Sequence, residues 1–301
     1  LAMGQQLWNH ADLLERFRPV IVRLCKDPHP AVRIAAVRAC LPILNVDKSF
    51  AIECFCEASS EDLRVAACRE AVYFFSTGMH SHTERLAPLV IRMLEAPQAR
   101  VAEAGAQEVA ARWLFNDYFM AELDHCLQGG VPQRKGVAKI AARFVAEADH
   151  FDKCSRLIER LKDDPNEEVR QSLHSVVRST DILQLPEGVA LVRSFVQSQA
   201  FRDDPTGLIR GLDGHVGTLM PFSDVLLSMC DQFVGPLRDA CRDSSLTISH
   251  DISVFVPILV RLHEQAEESG NTQIVNQCLD AWDAMFERRI AVVHELATAI
   301  G

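Results

Sequence analysis

Cysteine and histidine pairs are the first residues of this sequence to weigh for chemistry, because both types bind metal ions. Cys54 and Cys56 stand two residues apart, and so do His80 and His82. On a helix, side chains at i and i+2 point to different faces, so Cys54 and Cys56 are poorly placed for one ion. Structural zinc sites need a second ligand pair at characteristic spacing, and the sequence offers none. We therefore predict no metal site and no cofactor.

Motifs for nucleophilic catalysis and phosphate binding are also missing. No Gly-x-Ser-x-Gly elbow marks a nucleophilic serine. The glycine-rich segment 211–217 lacks a following Lys-Ser/Thr, and the glycines and cations of segment 129–136 are better explained as an inter-helix turn than as a phosphate contact. The carboxylate pairs 163–164 and 203–204 precede prolines and fit turns. We predict that the protein is not an enzyme.

The composition is that of a folded chain with an acidic balance. Of its 301 residues, 48% are hydrophobic and 24% are charged, which is typical of globular proteins. The net charge of −10 disfavours a protein whose main task is to bind nucleic-acid phosphates. The charge is uneven, because residues 1–180 carry a net −1 and residues 181–301 carry a net −9.

Hydropathy and cysteine usage indicate the compartment. No run reaches the ~20 apolar residues of a membrane span, and the start LAMGQQLW does not resemble a signal peptide. Because the first residue is not Met, we interpret it as a tag remnant or the edge of a larger protein. Most cysteines stand among apolar residues at helical spacing, which favours reduced, buried thiols in a cytoplasmic protein without membrane contact. These cysteines are Cys25, Cys40, Cys68, Cys126, Cys154, Cys230, Cys241 and Cys278.

The elements that position these residues are helices that recur along the chain. Strand signals are nearly absent, and helical stretches alternate with breaks rich in Pro, Gly, Asp, Asn and Ser. Residues 27–40 (DPHPAVRIAAVRAC) and 164–177 (DPNEEVRQSLHSVV) share an Asp-Pro turn and a Val-Arg pair. Segments 59–72, 98–111 and 132–145 keep the small-residue helix. This recurrence predicts repeated helical hairpins.

Each of these segments follows an amphipathic stretch, which we predict to be the first helix of its hairpin. The first helices lie near 12–26, 48–58, 83–95, 117–127 and 152–162. A single hairpin cannot bury its apolar stripe, whereas stacked hairpins bury a continuous core. Small residues at the contacts let helix axes approach closely. The small residues expected there are Ala35, Ala36, Ala66, Ala67, Ala104, Gly105, Ala138, Ala141 and Ala142.

The Asp-Pro turn, the Val-Arg pair and the Ala-rich second helix resemble the HEAT-repeat family of armadillo-like proteins. The resemblance covers about residues 10–180 and implies an all-α fold, an α-solenoid of stacked antiparallel hairpins. We predict about five HEAT-like hairpins over residues 1–180. Residues 181–301 are predicted to form divergent helical repeats that end in a long helical hairpin, which caps the stack.

After residue 180 the period decays. Segment 185–201 predicts a helix, segment 203–222 a broken connector rich in Gly and Pro, and segment 223–242 an interrupted helix pair. Residues 248–268 and 271–298 predict two long helices. This last pair is similar to the final helices of C-terminal helical-repeat regions in large bacterial NTPases of the STAND type, including antiviral proteins.

The HEAT resemblance gives two columns of basic residues different roles. In the family, the Arg after Val commonly pairs with an acidic residue of an adjacent turn, which implies a structural ladder. The ladder residues are Arg33, Arg64 and Arg170. If the second helices line the concave side, as in the family, the columns four and five residues further on border a groove, and basic residues along it form a strip for an acidic partner. This groove strip comprises Arg38, Arg69, Lys139, Arg143 and His174. An ordinary solvated helix face is the alternative.

A curved solenoid offers a large concave surface and no closed pocket, which suits a protein partner. We predict a non-catalytic protein-binding or scaffold module that binds another protein or another domain of the same polypeptide. One version is the sensor or partner-recognition region of a larger bacterial, defence-type assembly. The alternative is a HEAT-like protein that holds nucleic acid in a basic concave groove. An enzyme built on this scaffold is a third hypothesis, for which no residue roles can be assigned.

Overall fold

The structure is a computed structural model that describes residues 2–177, 180–185, 187–235 and 245–287. All regular elements within these ranges are helices, so the predicted all-α class is confirmed. The chain forms two compact units, residues 1–140 and residues 141–301. The change at residue 180 that we infer from the decay of the sequence period stays a prediction.

The first unit consists of helices that pack against their neighbours along the chain. They are α1 (Ala2–Asn9), α2 (Leu14–Cys25), α3 (Pro30–Cys40), α4 (Lys48–Ser59), α5 (Ala71–Gly78), α6 (Thr83–Leu94), α7 (Ala99–Asn116), α8 (Met120–Gln128) and α9 (Val131–Phe144), the last of which ends in the second unit. Helix α4 packs against α2, α3, α5 and α6, and α7 packs against α5, α6 and α8. Contacts between successive hairpins of this kind are those of a helical solenoid.

The second unit has shorter helices before a long final pair. They are α10 (Phe151–Leu161), α11 (Glu167–Gln171), α12 (Gly188–Val196), α13 (Gln199–Asp203), α14 (Thr206–Asp213), α15 (Ser223–Val234), α16 (Ser245–Glu268) and α17 (Thr272–Glu287). Helix α12 packs against α15, α14 packs against α16, and α17 packs against both α15 and α16. Among the described residues, no helix is both long enough and apolar enough to cross a bilayer.

The predicted first helices are all present, as α2, α4, α6, α8 and α10. The predicted final pair corresponds to α16 and α17, and the part beyond residue 287 lies outside the described residues, as does the second half of the pair predicted over 223–242. The connector predicted over 203–222 is wrong in part, because residues 206–213 form α14. Three apolar side chains at helical spacing, Leu208, Ile209 and Leu212, are buried there and stabilise this helix.

The helix predicted over 59–72 is also wrong in part, because residues 61–70 form a run of turns. The carboxylate of Asp62 accepts a hydrogen bond of 3.0 Å from the backbone N–H of Arg64. Several backbone hydrogen bonds of this stretch span three residues instead of four. Bonding of an Asp side chain to the nearby backbone competes with helix formation. Regular helix therefore begins only at Ala71.

Side-chain caps fix where several of the helices begin. His29 accepts a hydrogen bond from the N–H of Ala31 at the start of α3, and Asp47 accepts one from Phe50 at the start of α4. Asn166 does the same at the start of α11. Each cap satisfies a backbone donor that the first turn leaves without an intrahelical partner. The polar breaks in the sequence thus act as start signals.

Aromatic side chains pack α5 against α4, the two helices that the turns at 61–70 connect. Phe55 stacks on Phe74 with ring centroids 4.7 Å apart, and it meets Phe75 edge-on at 5.3 Å. All three rings are fully buried. In the second unit, Phe233 of α15 meets Phe255 of α16 at 5.1 Å. Such pairs contribute about 1 kcal/mol beyond their burial of apolar surface.

Small residues allow close helix contacts at most of the expected positions. A Cβ atom at Gly105 would lie 2.9 Å from the Cβ of Met93, so α6 and α7 approach as closely as glycine permits. The expectation is wrong for Ala35, which is exposed. Ala67 and Ala104 are half-buried. The buried members of the set are Ala36, Ala66, Gly105, Ala138, Ala141 and Ala142.

Candidate interaction site

Arg33 connects α3 to the turn that follows α4. Its guanidinium Nη1 lies 3.5 Å from Oε2 of Glu61, and Nη2 lies 3.8 Å from Oδ2 of Asp62. The Arg33 residue is only 5% exposed. These ionic contacts offset the free-energy cost of burying the positive charge of the guanidinium. Arg33 thus joins two successive hairpins by charge as well as by packing.

Arg64 makes a different contact, although it aligns with Arg33 in the repeat. Its side chain is exposed and forms a forked pair with Asp62 of its own turn, with 3.0 Å from Nε to Oδ1 and 2.6 Å from Nη2 to Oδ2. The hydrogen bonds from Arg64 hold the pKa of Asp62 below its usual range. Arg64 therefore supports the irregular stretch 61–70.

Arg170 of α11 pairs within the second unit. Its Nε lies 2.5 Å from Oδ2 of Asp203, which ends α13, and its Nη1 donates a hydrogen bond of 2.6 Å to the carbonyl oxygen of Asp164. Both side chains of the ion pair are largely buried. The three ladder residues thus have three different environments, and their common structural role stays a proposal.

Arg38 of the groove strip pairs with Glu70, which precedes α5. Arg38 projects from α3 with an exposed side chain, and its Nε lies 3.7 Å from Oε1 of Glu70. Arg69, the neighbour of Glu70, is exposed. Val72 and Tyr73 follow in α5 and are 42% and 54% exposed. We call the four residues Arg38, Arg69, Val72 and Tyr73 the Arg38–Tyr73 patch.

Lys139 of the groove strip is held by α7. Its Nζ forms an ion pair with Oε1 of Glu103, and the Nζ of Lys135, one turn earlier in α9, lies 3.7 Å from the other oxygen of the same carboxylate. The carboxylate of Glu103 offsets part of the charge of the two lysines. The positive potential that Lys139 offers a partner is correspondingly smaller.

Arg143 and His174 belong to the second compact unit. Arg143 is exposed, and its guanidinium lies 5.2 Å from the centre of the Phe144 ring. The Nδ1 of His174 lies 3.2 Å from Oδ2 of Asp204, and this hydrogen bond holds the pKa of Asp204 well below its usual range. His174 is largely buried. The structure therefore places Arg38 beside Glu70, the chain neighbour of Arg69, while the interaction role of the whole groove strip stays a proposal.

One family profile matches the chain. Residues 17–46 match the HEAT repeat family, and this stretch includes the Asp-Pro turn, the Val-Arg pair and most of α2 and α3. Residues 17–46 therefore contain a HEAT repeat. The predicted resemblance to that family is confirmed. No curated protein matches the sequence. Arg33 and Arg38 both lie within the matched HEAT repeat.

The HEAT repeat also contributes to a cluster of cysteines that the sequence analysis did not identify. The Sγ atoms of Cys25, Cys40 and Cys54 all lie within 4.8 Å of one another. They come from α2, α3 and α4, and all three are buried and free. Hydrogen bonding within the cluster lowers the pKa of Cys25 and raises that of Cys40. The signal in the sequence is one cysteine at an inward position on each of three consecutive helices.

The other cysteines of the described residues stand apart from that cluster. Cys126, Cys154, Cys230 and Cys278 are buried as expected, and burial raises the pKa of each thiol. Cys68 is only half-buried, and Cys241 lies outside the described residues. A buried thiol with a raised pKa is unreactive and packs as a small apolar side chain.

Helix α7 carries a buried acid beside a buried base. The Nε of Arg112 lies 3.7 Å from Oε2 of Glu108, and the two residues are 6% and 8% exposed. Burial raises the pKa of Glu108 to about 7, although the positive charge of Arg112 opposes the shift. Neither Oε2 of Glu108 nor Nε of Arg112 has a hydrogen-bond partner in the described part of the chain. This pair makes the stability of α7 sensitive to pH near neutrality.

The junction of α7 and α8 is strained and exposes large apolar side chains. Asp117 and Phe119 have φ angles of 57° and 63°, in the left-handed region that only glycine occupies without cost. Phe115 and Met120 beside them are 41% and 66% exposed. Exposed aromatic and Met side chains are enriched in protein interfaces. The unusual density of aromatic residues in 113–120 is the sequence signal that marks this junction.

A surface cavity of about 480 Å³ lies in the second unit. Its lining includes Asp204 and Arg210, together with Thr206 and the glycines 207 and 211. The carboxylate of Asp204 is engaged by His174, as described above. This lining assigns no reaction to the cavity, and the expectation that the protein is not an enzyme stays a prediction.

Proposed function

We propose that this protein is a non-catalytic protein-binding module and that the Arg38–Tyr73 patch is part of its contact surface. HEAT repeats generally serve protein interaction or scaffolding, which supports the general class. The observation that carries the proposal is the ion pair of Arg38 with Glu70, whose neighbours in the chain include the exposed residues Arg69, Val72 and Tyr73.

The chemistry of the patch suits a protein partner. Arg and Tyr are enriched among the residues that dominate binding energy, because both combine apolar area with polar groups at their ends. In the patch, the guanidinium of Arg38 pairs with Glu70, Arg69 is exposed, and Val72 and Tyr73 supply exposed apolar surface. A partner with a carboxylate near an apolar side chain complements this arrangement. Another domain of the same polypeptide with that chemistry would serve equally well.

Nucleic acid is the less favoured partner. Affinity for a phosphate backbone grows with the number of phosphates that cations neutralise. In the groove strip, Arg38 lies beside Glu70, Lys139 pairs with Glu103, and His174 is bonded to Asp204. The acidic partners reduce the positive charge available for phosphate. The overall net charge of −10 acts in the same direction.

The proposal extends to a larger assembly. The sequence resemblance of the last helical pair to the final helices of bacterial STAND-type NTPases is the ground on which we propose a role in partner recognition within a defence-type protein. A cytoplasmic location belongs to the same proposal. The genomic sequence around this chain tests it, because an upstream nucleotide-binding motif in the same reading frame is expected. A gene that encodes only these helices would contradict the extension and leave the binding proposal standing.

The decisive experiment compares two double variants. Arg69→Glu/Tyr73→Ala reverses a charge and removes the aromatic ring of the patch. Arg100→Glu/Trp8→Ala makes the same kinds of change at exposed residues elsewhere in the first unit. Proteins enriched by the wild type from its source cells are identified, purified and titrated against all three proteins. We expect binding at least about tenfold weaker for the patch variant and within about twofold for the control.

Two results would contradict the proposal. One is a partner that binds both double variants as tightly as it binds the wild type, which would move the contact surface elsewhere. The other is retention of labelled DNA or RNA by the wild type in a filter-binding titration at low salt, lost in Arg69→Glu/Tyr73→Ala. That result would favour the nucleic-acid alternative.

A further inference from the structure

Three consecutive helices of the first unit each direct one cysteine to the same point. Cys25 ends α2, Cys40 ends α3 and Cys54 lies in the middle of α4. Their Sγ atoms all lie within 4.8 Å of one another, and the residues are 1%, 0% and 4% exposed. We propose that these three thiols form a binding site for one soft monovalent metal ion of the Cu(I) type, held by three sulfur atoms.

The separations fit three-coordinate binding after a small adjustment. Metal–sulfur bonds of about 2.3 Å directed to the corners of a triangle require sulfur atoms about 4.0 Å apart. If all three separations had the upper value of 4.8 Å, each sulfur would move inward by about 0.5 Å to reach that geometry. Changes in cysteine χ1 angles of modest size deliver such movements without displacing the helices.

The packing around the cluster favours a fixed site. Helix α2 packs against α3 and α4, and α3 packs against α4, so the three sulfur atoms are held by mutually packed elements. Cys25 and Cys40 stand inside the matched HEAT repeat, and Cys54 belongs to the next hairpin. A preorganised set of ligands loses little conformational freedom on binding. The site would therefore fasten the first repeat to the second.

The ligand set selects the kind of metal. Soft thiolate ligands favour Cu(I), Zn²⁺ and iron–sulfur clusters. Structural Zn²⁺ takes four protein ligands, and iron–sulfur clusters take four cysteines. The described residues supply three ligand atoms at this point. Three-fold sulfur coordination suits Cu(I). The thiol protons pass to the solvent as the metal–sulfur bonds form.

Anaerobic titration of the reduced protein with Cu(I), in the presence of the chelator bicinchoninate, tests the site. We expect one Cu(I) ion per chain, bound tightly enough to be taken from the chelator, with a copper–thiolate charge-transfer band and a higher melting temperature. Cys40→Ala and Cys54→Ser should each weaken binding at least tenfold. The control is Cys126→Ala, which removes an equally buried thiol of the same unit and should bind like the wild type.

Circular dichroism before titration establishes which variants are folded, and either of the two cluster variants suffices for the comparison. The proposal is overturned if the wild type takes no Cu(I) from the chelator, or if Cys40→Ala and Cys54→Ser bind as tightly as the wild type. Preferential binding of Zn²⁺ would overturn the assignment of the metal. A disulfide between two of these cysteines in protein purified without reductant, together with no copper binding after reduction, would overturn the site.

Discussion

The guanidinium of Arg33 lies 3.5 Å from a carboxylate oxygen of Glu61, across the junction between two successive hairpins. The aligned residue of the next repeat, Arg64, is exposed and bonded to its own turn. One repeat position thus holds a nearly buried cation in the first case and a solvated cation in the second. The two residues provide a matched pair for measuring what burial does to an ion pair.

Replacing Arg33 should destabilise the protein far more than replacing Arg64. Arg33→Ala removes a buried guanidinium that touches two carboxylates, and we expect the free energy of unfolding to fall by about 1–3 kcal/mol. Arg64→Ala should change it little, because exposed ion pairs contribute weakly. Urea denaturation of both variants measures the difference. Equal losses for the two variants would contradict this assignment.

The buried pair in α7 predicts a specific dependence of stability on pH. Burial raises the pKa of Glu108 from 4.5 to about 7, so folding favours the protonated acid. Its contribution to stability is therefore complete below pH 4.5 and is lost as the pH rises through 7. Glu108→Gln removes this titration. The stability of the variant relative to the wild type should rise between pH 4.5 and 7 by on the order of 3 kcal/mol.

Urea denaturation at several pH values between 4.5 and 8 measures this change for Glu108→Gln. The control is Glu95→Gln, which removes an exposed carboxylate from the same unit. If both variants followed the same course with pH, the effect would be due to overall charge and not to burial of Glu108.

The contact of α9 with α7 depends on the absence of a side chain at position 136. A Cβ atom there would lie 2.5 Å from the carbonyl oxygen of Glu103 and 2.7 Å from the Cβ of Ala106. Gly136→Ala should therefore lower the free energy of unfolding by about 1–3 kcal/mol, even though Ala favours helix over Gly.

Gly214→Ala is the control for that prediction. Its added Cβ would meet no atom closer than 3.4 Å, so we expect little change or a small gain in the free energy of unfolding. Urea denaturation compares the two variants under the same conditions. A Gly136→Ala variant as stable as the wild type would show that α9 shifts away from α7 without cost.

The hydrogen bond between His174 and Asp204 predicts the opposite pH dependence. It lowers the pKa of Asp204 below its unfolded value of 3.8, so the contribution to stability is present above pH 3.8 and is lost as the pH falls. Asp204→Asn should lower the free energy of unfolding by about 1 kcal/mol at pH 7. This loss should shrink below pH 4. Asp213→Asn, an exposed position of the same unit, is the control, and an equal loss there would contradict the assignment.

The first helices of the hairpins could be predicted because their signals are local. Amphipathic spacing and polar breaks define α2, α4, α6, α8 and α10 without reference to any other part of the chain. The turns at 61–70 could not be predicted in this way. They depend on the hydrogen bonds of Asp62 and on the packing of Phe55 against α5, which a repeat alignment does not show.

The same distinction between local signals and contacts of distant residues applies to the candidate sites. Arg38 and Arg69 share a column of the repeat alignment, but the exposure of Tyr73 in α5 is not part of that alignment. Pairing of Lys139 with Glu103 joins residues that are distant in sequence. The cysteine cluster could not be predicted, because it depends on the relative placement of three helices. Spacing within a single helix relates Cys54 only to Cys56.

Each compact unit contains buried cysteines, and their reaction with a thiol reagent reports local opening of that unit. A thiol reagent reaches Cys126 only when the first unit opens locally, and it reaches Cys230 only when the second unit does. The half-buried Cys56 and Cys68 supply a faster reference in the same sample. Labelling under native conditions, followed by peptide mass spectrometry, would therefore give separate opening rates for the two units without any introduced probe.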